Sequence, residues 1–210
     1  MQSEVIHINA GENRDLLFLN PQNLDIDIEL ERDARLQLHI ISIDGADSAN
    51  RIRVLFSDKG SEAHLYGLAL TSGTQHLGIL TEVTHSGGGC TSRQTFKYLL
   101  RDQSEASFRG LLKVAPDAQK TDASQTNRNI LLSPDARMHT EPQLEIYADD
   151  VRCSHGASTG QLDESALFYM QQRCLSADDA RTLLLQAFCA DILSGINDQQ
   201  LQEQILEKIR

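Results

Sequence analysis

Residues 61–85 read SEAHLYGLALTSGTQHLGILTEVTH, two runs in which apolar and polar residues alternate, separated by the turn-forming tetrapeptide TSGT. Such alternation with a period of two is typical of short β-strands that bury one face. Further segments repeat the pattern between turn-forming stretches, namely LDIDIEL, RLQLHIISI, RIRVLF, RQTFKYLL and ASFRGLLKV. No convincing amphipathic helical pattern precedes Asp163. We therefore predict a mainly β-fold and exclude the alternating strands and helices of a doubly wound sheet.

A weak internal repeat accompanies these strands. SEAHLYGL at 61–68 resembles SEASFRGL at 104–111, and VAPDAQ at 114–119 resembles LSPDAR at 132–137. A turn with a small residue followed by a short strand suits a coiled β-architecture, because tight corners exclude bulky side chains. A β-sandwich, whose strands recur about every 8–12 residues, fits the pattern equally well. The pattern alone leaves both folds open.

The sequence becomes helical in pattern after residue 160. Ser176 is a predicted N-cap, because a hydroxyl followed by acidic residues suits a helix N-terminus. The apolar stripe predicted for the following helix consists of Leu183, Leu184, Ala187, Phe188 and Ile192. In the last helix, the spacing i, i+4, i+8 predicts one apolar face formed by Leu201, Ile205 and Ile209. We predict a β-domain over residues 1–160 and a small C-terminal helical domain over residues 161–210.

Composition and charge exclude several classes of protein. The chain of 210 residues carries a formal net charge of −11, whereas nucleic acids and anionic membrane surfaces attract basic proteins, so we expect neither as a partner. No apolar run is long enough to span a membrane, and the first residues lack the regions of a signal peptide. We therefore expect a cytoplasmic protein. Aromatic residues make up 5% and tryptophan is absent, so we expect an aliphatic core.

The four cysteines are widely spaced, and no pair has the CxxC spacing of a metal or redox motif, so four free thiols are the simplest prediction. Cys90 follows a glycine-rich stretch, and a turn position is a better prediction for it than a metal loop with His85. Cys174 and Cys189 are predicted to pack in the core of the helical segment.

The fourth cysteine lies in YADDVRCSHGAS, residues 147–158. On a strand, Cys153 and His155 point to the same face, which brings two potential iron ligands together. Neutral imidazole binds iron and titrates near neutral pH, so release of the metal can be gated. Ordinary packing of both residues is the alternative. Because an iron–sulfur cluster usually takes about four protein ligands, the pair predicts a site that a partner chain completes.

Enzymatic chemistry finds little support in the sequence. Asp149 and Asp150 are adjacent, so on a strand they face apart, which disfavours the paired carboxylates of a carbohydrate-cleaving enzyme. Ser154 and His155 are also adjacent, and no G-x-S-x-G elbow is present. No G-x-x-x-x-G-K-[ST] motif occurs, so the chain is not expected to hydrolyse ATP. We predict that the protein is not an enzyme.

Residues 116–193 resemble the SufB/SufD family of iron–sulfur cluster assembly scaffolds, through the segments QKTDASQTNRNILLS, PQLEIYADDVRCSHGASTGQLDE and ALFYMQQRCLS. The segment CSHGAS is similar to the SufD branch in particular. The resemblance implies a right-handed parallel β-helix and a C-terminal helical domain that docks on the ATPase SufC. It also implies that His155 takes part in forming a nascent cluster at the interface with SufB, and Cys153 is a second candidate ligand.

The expected function is that of a SufD-like scaffold subunit, which pairs through its β-helix with SufB or with a second copy and forms a homodimer in isolation. Phe168, Tyr169 and Leu175 are expected to contact SufC. No cofactor is expected to bind stably to this chain alone, whereas a transient iron–sulfur cluster and FAD are expected in the complex. The alternative is a homodimeric structural β-helix without a direct role in cluster formation. Family members usually carry a helical region before the β-helix, whereas strand-like sequence follows Met1 here, which predicts a compact, divergent member.

Overall fold

The computed structural model describes residues 4–44 and 46–209, and within these ranges the chain forms twelve strands followed by three helices. The strands are β1 Glu4–Ile8, β2 Asn13–Leu19, β3 Asp25–Leu30, β4 Arg35–Ser42, β5 Ser48–Phe56, β6 Glu62–Thr71, β7 His76–His85, β8 Thr91–Leu100, β9 Glu105–Val114, β10 Asp122–Leu131, β11 Arg137–Ile146 and β12 Arg152–Gly160. The helices are α1 Glu164–Gln171, α2 Ala177–Leu193 and α3 Gln199–Lys208. None of these helices is long and apolar enough to cross a membrane.

The strands form two parallel sheets, and the chain passes from one sheet to the other with each new strand. Sheet A has the order β1-β3-β5-β7-β9-β11, and sheet B has the order β12-β10-β8-β6-β4-β2. Each coil therefore consists of one strand from each sheet, and successive coils stack in parallel register. This arrangement is a parallel β-helix, which confirms the predicted mainly β-fold and excludes the antiparallel β-sandwich.

The alternation of residue types follows the inside and outside of the coil. In β7 every second side chain is buried, and the buried ones are Leu77, Ile79, Thr81, Val83 and His85. The inner faces of both sheets build one core that is largely aliphatic, as predicted. The largest buried side chains are nevertheless aromatic and belong to Phe56, Phe96, Phe108 and Tyr98. A few rings therefore fill much of the interior although aromatic residues are scarce.

Gly67 provides the space for one of these rings. It lies beside Phe96 in the register of sheet B, and a Cβ atom on Gly67 would lie 2.1 Å from Cδ1 of that ring. The Phe96 ring in turn packs against Phe108 from sheet A, with ring centroids 4.7 Å apart. A glycine in a strand interior here serves the close packing of a large neighbour.

The corners that lead into sheet B repeat one arrangement. A residue with positive φ precedes a small buried residue in the pairs Asp33–Ala34, Gly60–Ser61, Gly89–Cys90 and Lys120–Thr121. Backbone hydrogen bonds join consecutive corners, from the N–H of Gly60 to the carbonyl of Gly88 (3.2 Å) and from the N–H of Gly89 to that of Gln119 (2.8 Å). The corners exclude bulky side chains, as predicted, and Cys90 occupies a turn, also as predicted.

The copies of the internal repeat lie where strands begin, but they do not occupy equivalent positions in successive coils. SEAHLYGL leads into β6 of sheet B, whereas SEASFRGL leads into β9 of sheet A, so the two segments do not stack on each other. VAPDAQ and LSPDAR form the turns after β9 and β10, at different corners. The two turns share an alanine that is buried at the corner, Ala118 in the first and Ala136 in the second.

Helices α2 and α3 cover the outer face of sheet B. Ile41, Leu68 and Leu99 project outward from the sheet and pack with buried side chains of both helices. Beneath α2, the ammonium group of buried Lys97 pairs with the carboxylate of Asp191 at 2.7 Å. Strand structure ends at Gly160 and helical structure begins at Glu164. The division into two domains stays a prediction, and residues 1–3, Gly45 and Arg210 lie outside the described residues.

The helix predictions differ in their outcome. Ser176 caps α2, since its hydroxyl accepts a hydrogen bond from the N–H of Asp179, and the predicted face of α3 is buried. The stripe predicted for α2 is wrong in part, because Leu183 and Ala187 are exposed. The residues of α2 that are buried are Ala180, Leu185, Cys189, Ile192 and Leu193. The buried face of α2 is the one that packs on sheet B, and it differs from the stripe predicted from the apolar residues of the helix.

We expect Gly67→Ala to lower the free energy of unfolding by about 1–3 kcal/mol, because the added methyl group overpacks the Phe96 ring. The matched control is Gly156→Ala in β12, where an added Cβ atom meets nothing within 4 Å, and its effect should stay within about 0.5 kcal/mol. Urea titration followed by circular dichroism measures both. Equal stability of the two variants would contradict the proposed role of Gly67.

Candidate functional site

The terminal strand of sheet B carries both predicted iron ligands. Strand β12 pairs with β10, and the register places Cys153 beside Ala123 and His155 beside Gln125. Ala123 and Gln125 are buried in the interior of the β-helix. Because in-register neighbours in a sheet share a face, Cys153 and His155 both lie on the inner face of β12. The structure thus brings the two side chains to one face at the last coil.

The Cys153 thiol is half-buried at the edge of the core, where it packs against the buried clusters of the last coils. Burial raises the pKa of this thiol, the nearby Asp122 carboxylate adds to the increase, and a hydrogen bond with the backbone of Ala123 opposes it. The thiol is therefore protonated near neutral pH, in contrast to the activated thiolates of reactive cysteines. A metal ion that bound this sulfur would have to displace the proton.

The His155 side chain is exposed at the open end of the β-helix. Within residues 4–44 and 46–209, no hydrogen bond or ion pair to its ring is found, so the imidazole is available to a ligand. The same ranges contain no group of three or more His, Cys, Asp or Glu side chains placed to hold a metal ion. Cys153 and His155 therefore form a pair without further ligands from the described part of the chain.

The two acidic residues before β12 shape the turn. Both Asp149 and Asp150 are exposed. The N–H of Asp150 donates to Oε1 of Gln119 at 2.9 Å, and its carbonyl accepts from the N–H of Lys120 at 2.6 Å. These contacts join the last corner to the one before it and hold the entry into β12 in register.

The free edges at this end of the β-helix differ in their chemistry. In β11, Pro142 cannot donate to a ladder, and Arg137, Glu141 and Glu145 place charges along the strand, which are features that protect an edge against pairing. In β12, the only charged residue is Arg152 at its start, and the strand then reads CSHGASTG without proline. The edge of β12 is thus nine residues of nearly uncharged backbone, suited to pairing with another strand.

The other cysteines do not join this site. Cys189 is buried in the helical core, as predicted, and burial raises its pKa to about 12. The predicted core position of Cys174 is wrong, because the residue takes a left-handed conformation (φ 66°) in the turn after α1 and is exposed. The Cys90 thiol donates to the carbonyl of Asp58 at 3.2 Å, and burial raises its pKa.

His85 does not form a metal loop with Cys90. Its ring stacks on Phe56, with centroids 4.2 Å apart, and Nε2 bonds to the hydroxyl of Ser92 at 2.9 Å. Burial lowers its pKa to about 4, so the imidazole is neutral at physiological pH. His85 is therefore part of the core, where one of its ring nitrogens is hydrogen-bonded. It occupies one of the alternating buried positions of β7.

The residues predicted to contact a partner lie on and beside α1, which has no buried residue. Phe168 is 63% exposed and Tyr169 is 60% exposed, which is unusual for large apolar side chains next to a packed helical unit. The Arg173 guanidinium covers the Tyr169 ring at 5.2 Å. Leu175 is half-buried, so it contributes to the fold as well as to the surface.

The sequence reasoning missed Gln94 and Thr81, which lie in the interior next to the site. The Thr81 hydroxyl donates to Oε1 of Gln94 at 2.9 Å, and Nε2 of Gln125 donates to the same oxygen at 3.4 Å. Gln125 of the polar segment QKTDASQTNRN thus forms a hydrogen bond between neighbouring coils. The signal for Gln94 was its polar side chain at a position that alternation assigns to the core.

Because burial raises the pKa of Cys153, we expect iodoacetamide to modify exposed Cys174 at least about tenfold faster than Cys153 near neutral pH. The modification rate of Cys153 should still increase above pH 9.0, the usual thiol pKa, because the raised pKa leaves much of the thiol protonated at that pH. Mass spectrometry of the separate peptides measures both rates. In the Cys174→Ser variant the fast phase should disappear, and a fast phase retained at Cys153 would contradict the assignment.

Comparison with known proteins relates this chain to a family. Residues 4–188 match the family model described as SUF system FeS cluster assembly, SufBD core domain. The chain is 36% identical to the iron–sulfur cluster assembly protein SufD of Escherichia coli (strain K12) over 183 residues, which are 87% of this chain and 43% of that protein.

Two further relatives are SufBD family proteins of iron–sulfur cluster assembly. The one from Synechocystis is 30% identical over 206 residues, 94% of this chain and 46% of that protein. The one from Mycobacterium leprae is 31% identical over 188 residues, 86% of this chain and 48% of that protein. The chain thus spans somewhat less than half the length of these relatives. The resemblance seen in the sequence is confirmed, and the chain belongs to the SufBD core domain family of the SUF iron–sulfur cluster assembly system.

Proposed function

We propose that this chain is a SufD-like scaffold subunit, on whose terminal strand a partner chain completes a transient site for an iron–sulfur cluster. The observation that carries the proposal is the position of Cys153 and His155 on the inner face of β12, next to a free and nearly uncharged edge. Family membership supports it, since the named relatives are iron–sulfur cluster assembly proteins. The chain acts in this proposal as a scaffold and not as a catalyst.

The partner completes the site because two side chains are half of the usual ligand set of a cluster. The partner is SufB, or a second copy of this chain when it is isolated. Its edge strand pairs with β12 through backbone hydrogen bonds, which the exposed N–H and C=O groups of the edge can form. The charges and the proline of β11 disfavour pairing there, which directs the partner to the strand that carries the ligands.

The chemistry of the pair suits a cluster that is cargo rather than a resident group. Iron displaces the proton of the Cys153 thiol, and the raised pKa of that thiol favours return of the proton when the metal leaves. His155 offers a nitrogen lone pair on an exposed imidazole, a ligand that iron accepts. With only two ligands, one of them a thiol of raised pKa, this chain alone retains a cluster weakly, so that the cluster is held only while the partner contributes ligands.

Helix α1 supplies the surface for the ATPase SufC in this proposal. Phe168 and Tyr169 expose large apolar area, and such side chains are enriched at the centres of protein interfaces. Movement of the ATPase would act on the β-helix through α2, because Lys97 of β8 pairs with Asp191 of α2. Leu175 lies beside this surface and supports the turn between α1 and α2.

FAD is expected only in the complex, and no residue of this chain is assigned to it. No step of the proposed mechanism uses flavin.

We expect His155→Ala to reduce cluster formation in the complex with SufB at least about tenfold, because an imidazole ligand is lost from an incomplete set. The matched control is His139→Ala, an exposed histidine on the outer face of neighbouring β11, which should behave like wild type. Anaerobic reconstitution with iron and sulfide, followed by the visible absorbance of the cluster, measures both. Undiminished cluster formation in His155→Ala would favour the second candidate, a homodimeric structural β-helix. The protonated Cys153 thiol is the observation that supports this candidate.

We expect the double variant Phe168→Ala/Tyr169→Ala to bind SufC at least about tenfold more weakly, because both apolar anchors are removed from an exposed surface. Substitution is preferable to deletion of the helices, because deletion would uncover the apolar face of Ile41 and Leu68 on sheet B. The control is Leu17→Ala on β2, which removes an exposed apolar side chain at the other end of the β-helix. Calorimetric titration with SufC decides, and unchanged affinity of the double variant would reject the docking surface.

A further inference from the structure

Three side chains form a polar row across the inner face of sheet B. The register places Gln94 of β8 beside Gln125 of β10, and Gln125 beside His155 of β12. The row begins deep in the β-helix, since Gln94 and Gln125 are each 1% exposed, and it ends at the open last coil. Consecutive members lie one strand spacing apart, about 4.8 Å, so long side chains in the row reach their neighbours.

Hydrogen bonds give this row a direction. Thr81, opposite the row in sheet A, donates its hydroxyl proton to Oε1 of Gln94 at 2.9 Å. The same oxygen accepts from Nε2 of Gln125 at 3.4 Å. The amide of Gln125 therefore uses its donor for Gln94, so its oxygen remains for another donor, and the next member of the row is His155.

The oxygen of Gln125 lacks a partner. Among the described residues, Oε1 of Gln125 is buried and accepts no hydrogen bond. A buried acceptor without a donor costs free energy, so such atoms in folded proteins point to a missing contact. The glycine opposite explains why the amide lies there at all, because a Cβ atom on Gly110 would lie 2.0 Å from Nε2 of Gln125.

We propose that Gln125 is a positioning residue for His155, whose ring N–H donates to Oε1 of Gln125. The exposed His155 ring is free to rotate into this contact, and the contact satisfies the buried oxygen. With one ring nitrogen held as a donor, the other keeps its lone pair and points away from the row, toward the open coil. Second-shell acceptors of this kind fix the tautomer and orientation of histidine ligands in metal sites.

This inference rests on the proposed function of His155 and adds the group that prepares it. Cys153 lies in the neighbouring row, beside Ala123 and then Ser92, where no side-chain amide is present. The two candidate ligands therefore differ in support, because the thiol contacts an apolar neighbour whereas the imidazole has a buried acceptor beside it. His155 is the member of the pair that the fold pre-orients.

The contact is tested by NMR of the full chain with ¹⁵N-labelled histidine, in which His155→Gln identifies the signals of His155. We expect one ring N–H that exchanges with water at least about tenfold more slowly than in free imidazole, and one unprotonated ring nitrogen. Gln125→Met keeps the volume but removes the acceptor, so it should abolish the slow exchange. Gln94→Met should weaken it, because the Gln125 amide then loses the partner that orients it.

Asn127→Leu is the matched control, since Asn127 is equally buried on β10 but lies beside Ala157. It should leave the His155 signals unchanged. Rapid exchange of the His155 N–H in the wild-type protein, equal protection in Gln125→Met, or a contact of that N–H with a bound water instead of Gln125 would each overturn the inference.

Cluster formation separates this inference from the proposed function. Gln125→Met should lower cluster formation with SufB less than His155→Ala does, and Asn127→Leu should not lower it. A protected N–H together with cluster formation that does not depend on His155 would reject the proposed function and leave the contact established. Dependence on His155 without a protected N–H would reject only the role of Gln125.

Discussion

The register between equivalent positions of successive coils is the constraint on which the whole molecule depends. Parallel pairing places each side chain beside the side chain at the equivalent position of the next coil. The interior therefore consists of rows of side chains, and neighbours within a row must fit each other in size and polarity. The hydrogen bonds between corners, such as that from Gly60 to Gly88, hold this register where the strands end. Gly67 beside Phe96 in one row, and Gly110 opposite Gln125 across the core, show how one small residue makes room for a large neighbour.

The same register determines what the terminal coil can do. Strand β12 continues the rows of β10, and no strand among the described residues lies beyond it, so side chains that would be buried elsewhere are exposed there. Cys153 remains half-buried because it still contacts the core, whereas His155 is uncovered. The site therefore lies where the core of the β-helix ends. Its residues continue rows of the core on one side and are open to solvent on the other.

Patterns that depend on neighbours in sequence could be predicted well. The period of two, the Ser176 cap and the face of α3 each arise from local geometry, and the structure shows all three. The shared face of Cys153 and His155 belongs to the same group, because two residues on one strand need no information from elsewhere. The alternation fitted a coiled β-architecture and a β-sandwich equally well, and the resemblance to a family decided between them.

Features that depend on residues far apart in sequence could not be predicted. Gln125 and Gln94 are 31 residues apart, and only the register shows that they meet. The buried face of α2 depends on where sheet B lies, and Cys174 is exposed because its backbone is left-handed in the turn after α1. The raised pKa of Cys153 likewise follows from burial by several elements, which no short sequence segment encodes.

If a partner strand pairs with β12, the symmetry of that contact limits the stoichiometry. A solenoid with two equally receptive ends would polymerise, since each added copy would present a fresh strand to the next. If β12 pairs with the same strand of a second copy or a related one, the contact is isologous and consumes itself, so growth stops at two subunits. Pro142 and the charges of β11, the other free edge at the same end, disfavour a second contact there, so such pairing would stay confined to β12.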